Sequence, residues 1–225
     1  MLKNDKRIRI FIGHYGSGKT EVAVNYALKL TEVSEKKVAL ADLDVVNLYF
    51  RSRERQKELE DKGIRVISSS IEGGALDLPA VSAEVMSPME DHSYDYVIDV
   101  GGDSVGGRVL GRFSHLIEEG DYDMFMVVNA NREQTQTLDE VLNQIKSIEQ
   151  TTRLKVTALI NNTHLVRDTT IDDVIKGDSL VKQVSEATGL KVRYVSAIEQ
   201  IANHIPEGTL GEVFKINLMM RTDWM

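Results

Sequence analysis

GHYGSGKT, residues 13–20, fits the pattern G-x-x-x-x-G-K-[ST]. In that pattern glycines let successive backbone N–H groups wrap a phosphate, a lysine reaches the β/γ oxygens, and a hydroxyl holds magnesium. The candidate phosphate-binding positions are therefore Gly13, His14, Tyr15, Gly16, Ser17, Gly18, Lys19 and Thr20, with Thr20 also a magnesium ligand. Lys19 is a catalytic candidate as well, because a cation on the β/γ oxygens offsets charge during phosphoryl transfer. The flanks suit this reading. IRIFI, residues 8–12, is apolar enough for a buried strand, and KTEVAVNYALKL, residues 19–30, reads as a helix whose N-terminus faces the phosphates.

Outward from the loop, short apolar runs alternate with helical patterns. Strands are predicted at Ile8–Ile12, Val38–Ala41, Ile64–Ile67, Tyr96–Asp99, Phe125–Val128, Val156–Ile160 and Val192–Val195. Several are apolar almost throughout, as strands buried on both faces should be. QTQTLDEVLNQIKSIE places Leu138, Val141, Leu142, Ile145 and Ile148 on one helical stripe. A further helix is predicted over GDSLVKQVSEATG, with Asp178 or Ser179 as N-cap and Gly189 as its end. RSRERQKELEDKG reads as a solvated surface helix closed by Gly63. Alternation of strand and helix implies parallel βαβ units, whose ligands sit at the carboxyl ends of the strands. With three prolines and no repeat or low-complexity segment, residues 1–225 are expected to form a single domain.

Three more motifs fall at such strand ends. In ALADLDVVN, Asp42 and Asp44 close a strand on alternate residues. Beside a phosphate loop one carboxylate suits magnesium and the other a role in orienting the attacking water; Asp44 is assigned to the water and Asp42 to the metal side. In YVIDVGGDSVGGRVLGRF, Asp99 follows an apolar strand where a magnesium-side carboxylate is expected, and Gly101 and Gly102 let backbone amides approach a γ-phosphate. Asp95 reads as a turn residue ahead of that strand. Arg108 and Arg112, one helical turn apart, suit either a phosphate or partner contact or a solvated face. In ALINNTHL, Asn161 and Asn162 follow a strand, and Asn161 is the candidate base reader, since one amide supplies donor and acceptor to adenine. The guanine-reading N-K-x-D is absent here, so ATP is expected rather than GTP.

Composition excludes several alternatives. A formal net charge of −8 argues against broad nucleic-acid or anionic-lipid binding. The absence of cysteine excludes disulfides, thiolate-held iron–sulfur clusters and Cys-based zinc sites on this chain. His92, His115, His164 and His204 show no ligand spacing and are expected at the surface or in caps. The apolar run before Gly13 is too short for a signal peptide, and no stretch nears 18 apolar residues, so the expected location is cytoplasmic.

Taken in order, the phosphate loop, DLDVVN, VIDVGG and INN resemble the MinD/ParA-type, or deviant Walker A, branch of the P-loop NTPases, over roughly Arg7 to Ile205. The resemblance implies an α/β single-domain fold with a mostly parallel, seven- or eight-stranded sheet and helices on both faces. It implies Mg2+ and ATP at the loop, and a nucleotide-dependent homodimer closing on two nucleotides. It gives Lys19 and Thr20 as phosphate lysine and magnesium hydroxyl, Asp44 as the water-orienting carboxylate, Asp99 as the magnesium-side carboxylate and Asn161 as adenine reader. At the position of His14 the family typically carries a lysine that crosses to the partner's phosphate.

The departures narrow the function. Relatives that bridge clusters or bind arsenite or nickel use cysteines, and this chain has none. Membrane-tethered relatives end in a basic amphipathic helix, whereas the tail, residues 207–225, is apolar and is expected to be a helix packing on the sheet or on a partner. The leading expectation is a slow Mg-dependent ATPase that acts as a switch for an unidentified protein partner. The alternative is a metabolic ATP-using enzyme, a small-molecule kinase or ligase of the dethiobiotin or cobyrinate type.

Overall fold

A computed structural model describes residues 2–44, 56–68, 78–102 and 104–220. Residues 45–47 of DLDVVN, residues 51–55 of the charged segment, residue 103 and residues 221–225 of the tail lie outside the described residues. The elements run β1 (Ile8–Ile12), α1 (Lys19–Val33), β2 (Lys37–Asp42), α2 (Gln56–Asp61), β3 (Ile64–Ser68), α3 (Leu78–Glu90), β4 (Tyr94–Asp99) and α4 (Ser104–Gly111), then β5 (Tyr122–Val128), α5 (Leu138–Thr152), β6 (Ala158–Asn161), α6 (Ile171–Thr188), β7 (Lys191–Ile198), α7 (Glu199–Ala202) and β8 (Glu212–Ile216).

The eight strands form one sheet in the order β3-β2-β4-β1-β5-β6-β7-β8, and every neighbouring pair is parallel. The chain starts in the middle at β1, builds β2 and β3 toward one edge, returns to β4, then crosses to β5 and continues to β8 at the other edge. The order therefore reverses beside β1, the switch point at which open parallel sheets bind ligands.

Alternate side chains of each strand feed two cores. Ile8, Ile10 and Ile12 of β1 face a layer built with Val85 of α3, Leu110 of α4, Val141 and Ile145 of α5 and Val181 of α6. Phe11, Leu40, Val97, Phe125, Tyr194 and Phe214 face the other side, under Val22, Ala23, Tyr26 and Leu30 of α1. Phe11, Tyr26, Phe125, Tyr194 and Phe214 make a ring cluster with centroid separations of 5.2–6.3 Å. The Tyr26 and Tyr194 hydroxyls both donate to Asp5. Aromatic pairs at such distances prefer fixed relative orientations, so the cluster pins α1, and with it the loop at its N-terminus, to the sheet.

Three expectations need correcting. Among its described residues the tail supplies a strand where a helix was expected: β8 pairs in parallel with β7, with Phe214 and Ile216 buried and Lys215 exposed between them. The period of two in VFKI was the legible signal. The helix placed at Asp178 or Ser179 starts at Ile171 and is capped by Thr170, whose side chain accepts from the Asp173 amide. Gly177 lies inside α6, where no side chain fits, since a Cβ there would stand 2.2 Å from Asn161 Oδ1 and 2.1 Å from Thr163 Oγ1. Asp95 is buried within β4 and accepts from Arg9 at 2.5 Å, so it closes an ion pair under the sheet instead of starting a turn. The described part of the charged segment, α2, is a surface helix held by one buried anchor, Leu59.

Candidate nucleotide site

The loop of residues 13–18 joins the carboxyl end of β1 to α1. Gly18 precedes α1 with φ +79°, a left-handed conformation that side chains rarely adopt, and a Cβ there would stand 2.4 Å from Asn162 Nδ2. Gly16 is also left-handed, at φ +78°. Gly13 is buried against β5, with Val127 O in the space a side chain would need. The Ser17 amide donates to His14 O at 3.0 Å, and the buried Ser17 hydroxyl has no partner among the described residues. Tyr15 is 64% exposed. His14 is half-buried, its Nδ1 3.1 Å from Tyr15 O. A carbonyl only accepts, so that bond places a proton on Nδ1.

The carboxylates converge on this loop because β2 and β4 end together. Asp42 and Asp99 are register partners at the carboxyl ends of adjacent strands. Lys19 Nζ donates to Asp44 Oδ2 at 2.8 Å, with both side chains buried. Thr20 Oγ1 donates to Asp99 Oδ2 at 2.6 Å, and the Asp44 amide donates to Asp42 Oδ1 at 3.1 Å. Gly102 presses on the loop so closely that a Cβ would stand 1.8 Å from Gly13 O. Lys19, Thr20, Asp42, Asp44, Asp99 and Gly102 are thus brought together as expected. Arg108 and Arg112 are not; both are exposed on or just past α4.

Charge in this cluster is finely opposed. Burial pulls the Lys19 ammonium toward losing its proton, but the charges of Asp99, Asp44 and Asp42 outweigh it and hold its pKa above the ordinary lysine value. Burial pushes the Asp99 carboxyl up to about 6, Asp44 adding to the rise while Lys19 and the Thr20 bond oppose it. Asp99 Oδ1 is buried without a hydrogen-bond partner among the described residues. That oxygen, beside the Thr20 hydroxyl, fits a hydrated Mg2+, which takes oxygen ligands and keeps several waters.

Asp99 makes a pH prediction. Its folded pKa lies above the ordinary carboxylate value, so the stability it contributes is present in acid and lost as pH rises through about 6. Asp99→Asn, which cannot ionise, should therefore match the wild type near pH 4. By pH 7 it should melt several degrees higher in the nucleotide-free form, from a limiting difference on the order of 3 kcal/mol. Thermal melts between pH 4 and 7.5 check this; a gap that does not widen with pH would show that Asp99 does not carry the strain.

Beyond Thr20 the loop opens into a cavity of about 250 Å³. Its floor is the carboxyl end of β6 and β7, with Asn162, Thr163, His164 and Ser196; Ile198, Ile216, Leu218 and Met220 make an apolar wall. Asn161 does not line it. Its side chain turns to α6, where Nδ2 donates to Val174 O at 3.1 Å and Oδ1 accepts the Thr163 amide. Asn162 faces the loop instead, donating to Ser17 O at 2.7 Å and accepting from Ser196 Oγ at 2.8 Å. Consecutive residues at a strand end face opposite ways, which a bare Asn-Asn pair does not resolve.

His164, expected at the surface or in a cap, lines the cavity; its Nδ1 accepts the Val166 amide, which places the neutral ring's proton on Nε2, toward Gly18. Val166 sits at φ +60°, a strained conformation for a β-branched residue, in the loop beside it. Two residues that motif reading did not select also brace the loop. Arg132 donates from Nε to Gly16 O at 3.0 Å, and Asn129 from Nδ2 to the same oxygen at 3.3 Å. Their position just past the carboxyl end of β5 is the signal that could have found them.

No family model matches the chain, and no curated protein matches it. Solved structures do. Cell division protein FtsY from Thermotoga maritima aligns with a TM-score of 0.57 at 19% identity, over 85% of this chain and 62% of that one. Chloroplast FtsY from Physcomitrella patens gives 0.56 at 18%, over 91% and 61%. Signal recognition particle receptor FtsY from Elizabethkingia anophelis gives 0.51 at 18%, over 84% and 57%. The fold is that of the P-loop NTPases. At these identities the likeness is one of fold, and the chain spans about three fifths of the length of these three structures.

Proposed function

We propose that this P-loop protein binds Mg-ATP, hydrolyses it slowly, and works as a nucleotide-dependent switch for a partner protein, closing as a homodimer of the MinD/ParA type. One observation carries the reading: the loop lysine is held by Asp44, the carboxylate assigned to the water. Arrival of a triphosphate gives Lys19 a stronger anionic partner at the β/γ oxygens and releases Asp44 to orient and polarise the attacking water. Binding and catalytic readiness are then one exchange of partners.

Thr20, with Asp99 and Asp42 behind it, would hold Mg2+. That ion supplies neutralisation of charge developing on the phosphate oxygens. Gly102, packed on Gly13, is placed to feel the γ-phosphate and to relax when it leaves. ATP is favoured over GTP because guanine recognition asks for a carboxylate that accepts its N1–H and amino group. Among the described residues the carboxylate lining the cavity is Glu21, and it is bonded to the Met219 and Met220 amides.

His14 takes the place of the family's cross-dimer lysine and supplies positive charge only while protonated. Sedimentation with Mg2+ and a non-hydrolysable ATP analogue tests the dimer. The wild type should shift from monomer to dimer, and His14→Lys should do so at protein concentrations about tenfold lower at pH 8. His14→Ala should be weakest. Identical behaviour of all three would remove the charge role, and a wild type that stays monomeric would remove the dimer switch. Rapid turnover on adding a small-molecule acceptor would favour the transferase reading instead.

A further inference from the structure

The cavity beyond Thr20 is closed on one side by a segment that no nucleotide motif predicts. After β8 the chain turns back over α1, and Leu218 and Met220 enter the same cavity wall as Gly16, Gly18, Lys19 and Thr20. Glu21, the residue after the magnesium threonine, holds this segment by its backbone. Glu21 Oε1 accepts the Met219 amide at 2.5 Å and the Met220 amide at 3.2 Å, and Oε2 accepts the Met220 amide at 3.2 Å. One helical turn on, Asn25 clasps Asn217 from both sides: Asn25 Nδ2 donates to Asn217 O at 2.9 Å and the Asn217 amide donates to Asn25 Oδ1 at 2.8 Å. Asn25 Nδ2 also donates to Glu21 O at 2.8 Å, tying the two anchors together.

We infer that residues 217–220 are the base-side strap of the nucleotide site: Leu218 and Met220 cover the purine, and Glu21 and Asn25 fix that cover to the helix whose first residues hold the phosphates. This rests on the nucleotide reading above and adds the base subsite to it. A purine presents a broad apolar face, and an apolar wall above a polar floor is what small-molecule pockets offer such a ring. Charged bonds to backbone amides are among the stronger hydrogen bonds, so Glu21 can hold an irregular segment in one place without a further helix. The arrangement makes base binding and phosphate binding cooperative through the first two turns of α1.

The test separates the two ends of the ligand by measuring calorimetric affinities for Mg-ATP and for inorganic tripolyphosphate with Mg2+. The wild type should bind ATP at least about tenfold more tightly than tripolyphosphate. Leu218→Ala, at a half-buried position, should weaken ATP about tenfold and tripolyphosphate less than about twofold. Glu21→Ala should behave alike, and Glu21→Gln, which keeps an acceptor oxygen for both amides, should recover most of the ATP affinity. Equal wild-type affinity for the two ligands, or equal loss of both in the variants, would overturn the strap while leaving the phosphate loop standing. A wild type that binds neither would overturn both readings.

Discussion

Lys19→Ala is expected to abolish Mg-ATP binding or to weaken it at least about tenfold, a loss of about 1.4 kcal/mol or more. The lysine is buried at the head of α1 with its ammonium 2.8 Å from Asp44, so its removal takes away the cation that the β/γ oxygens would meet. It also leaves Asp42, Asp44 and Asp99 buried together without that charge. Breaking a buried pair from one side costs about 3–5 kcal/mol, so the variant should melt lower near neutral pH. Part of that loss should return in acid, where the carboxylates take up protons. Calorimetry of ATP binding, with a melt to confirm folding, separates the effects. Equal nucleotide affinity in wild type and variant would remove the phosphate-loop reading.

Asp44→Ala should do the opposite to binding. Hydrolysis in a single turnover should slow by about a hundredfold or more, because the water would lose the carboxylate proposed to orient and polarise it. Nucleotide should stay bound, and more tightly than in the wild type, because Lys19 no longer gives up an ion pair to reach the phosphates. A variant that holds ATP without hydrolysing it should also retain the protein partner on affinity capture. Unchanged hydrolysis would make Asp44 only the lysine's resting partner and send the search for the water's ligand elsewhere.

The convergence of the loop with Asp42, Asp44 and Asp99 was legible in the sequence because each part is a local pattern. Residues 13–20, the Asp42–Asp44 pair and Asp99 with its glycines all follow predicted strands. Parallel strands with right-handed crossovers bring such ends to one edge of the sheet. The far side of the cavity was not legible for the same reason in reverse. Asn161 and Asn162 are one residue apart and face opposite sides of the sheet, so the motif located the loop and missed the facing residue. Glu21 and Asn25 read as ordinary residues of an N-terminal helical turn, yet their partners are 192 to 199 positions away in the chain. The tail misled because its apolar composition suits either element; only the alternation of Phe214, Lys215 and Ile216 distinguishes a strand, over five residues.

The most direct measurement is a calorimetric titration of the wild-type chain with a non-hydrolysable ATP analogue, with and without Mg2+. Saturable binding of one nucleotide per chain, tightened by Mg2+ and lost in Lys19→Ala, is the predicted result. A chain that takes up no nucleotide under either condition, or that binds it equally with Lys19 replaced, would contradict the account at its base.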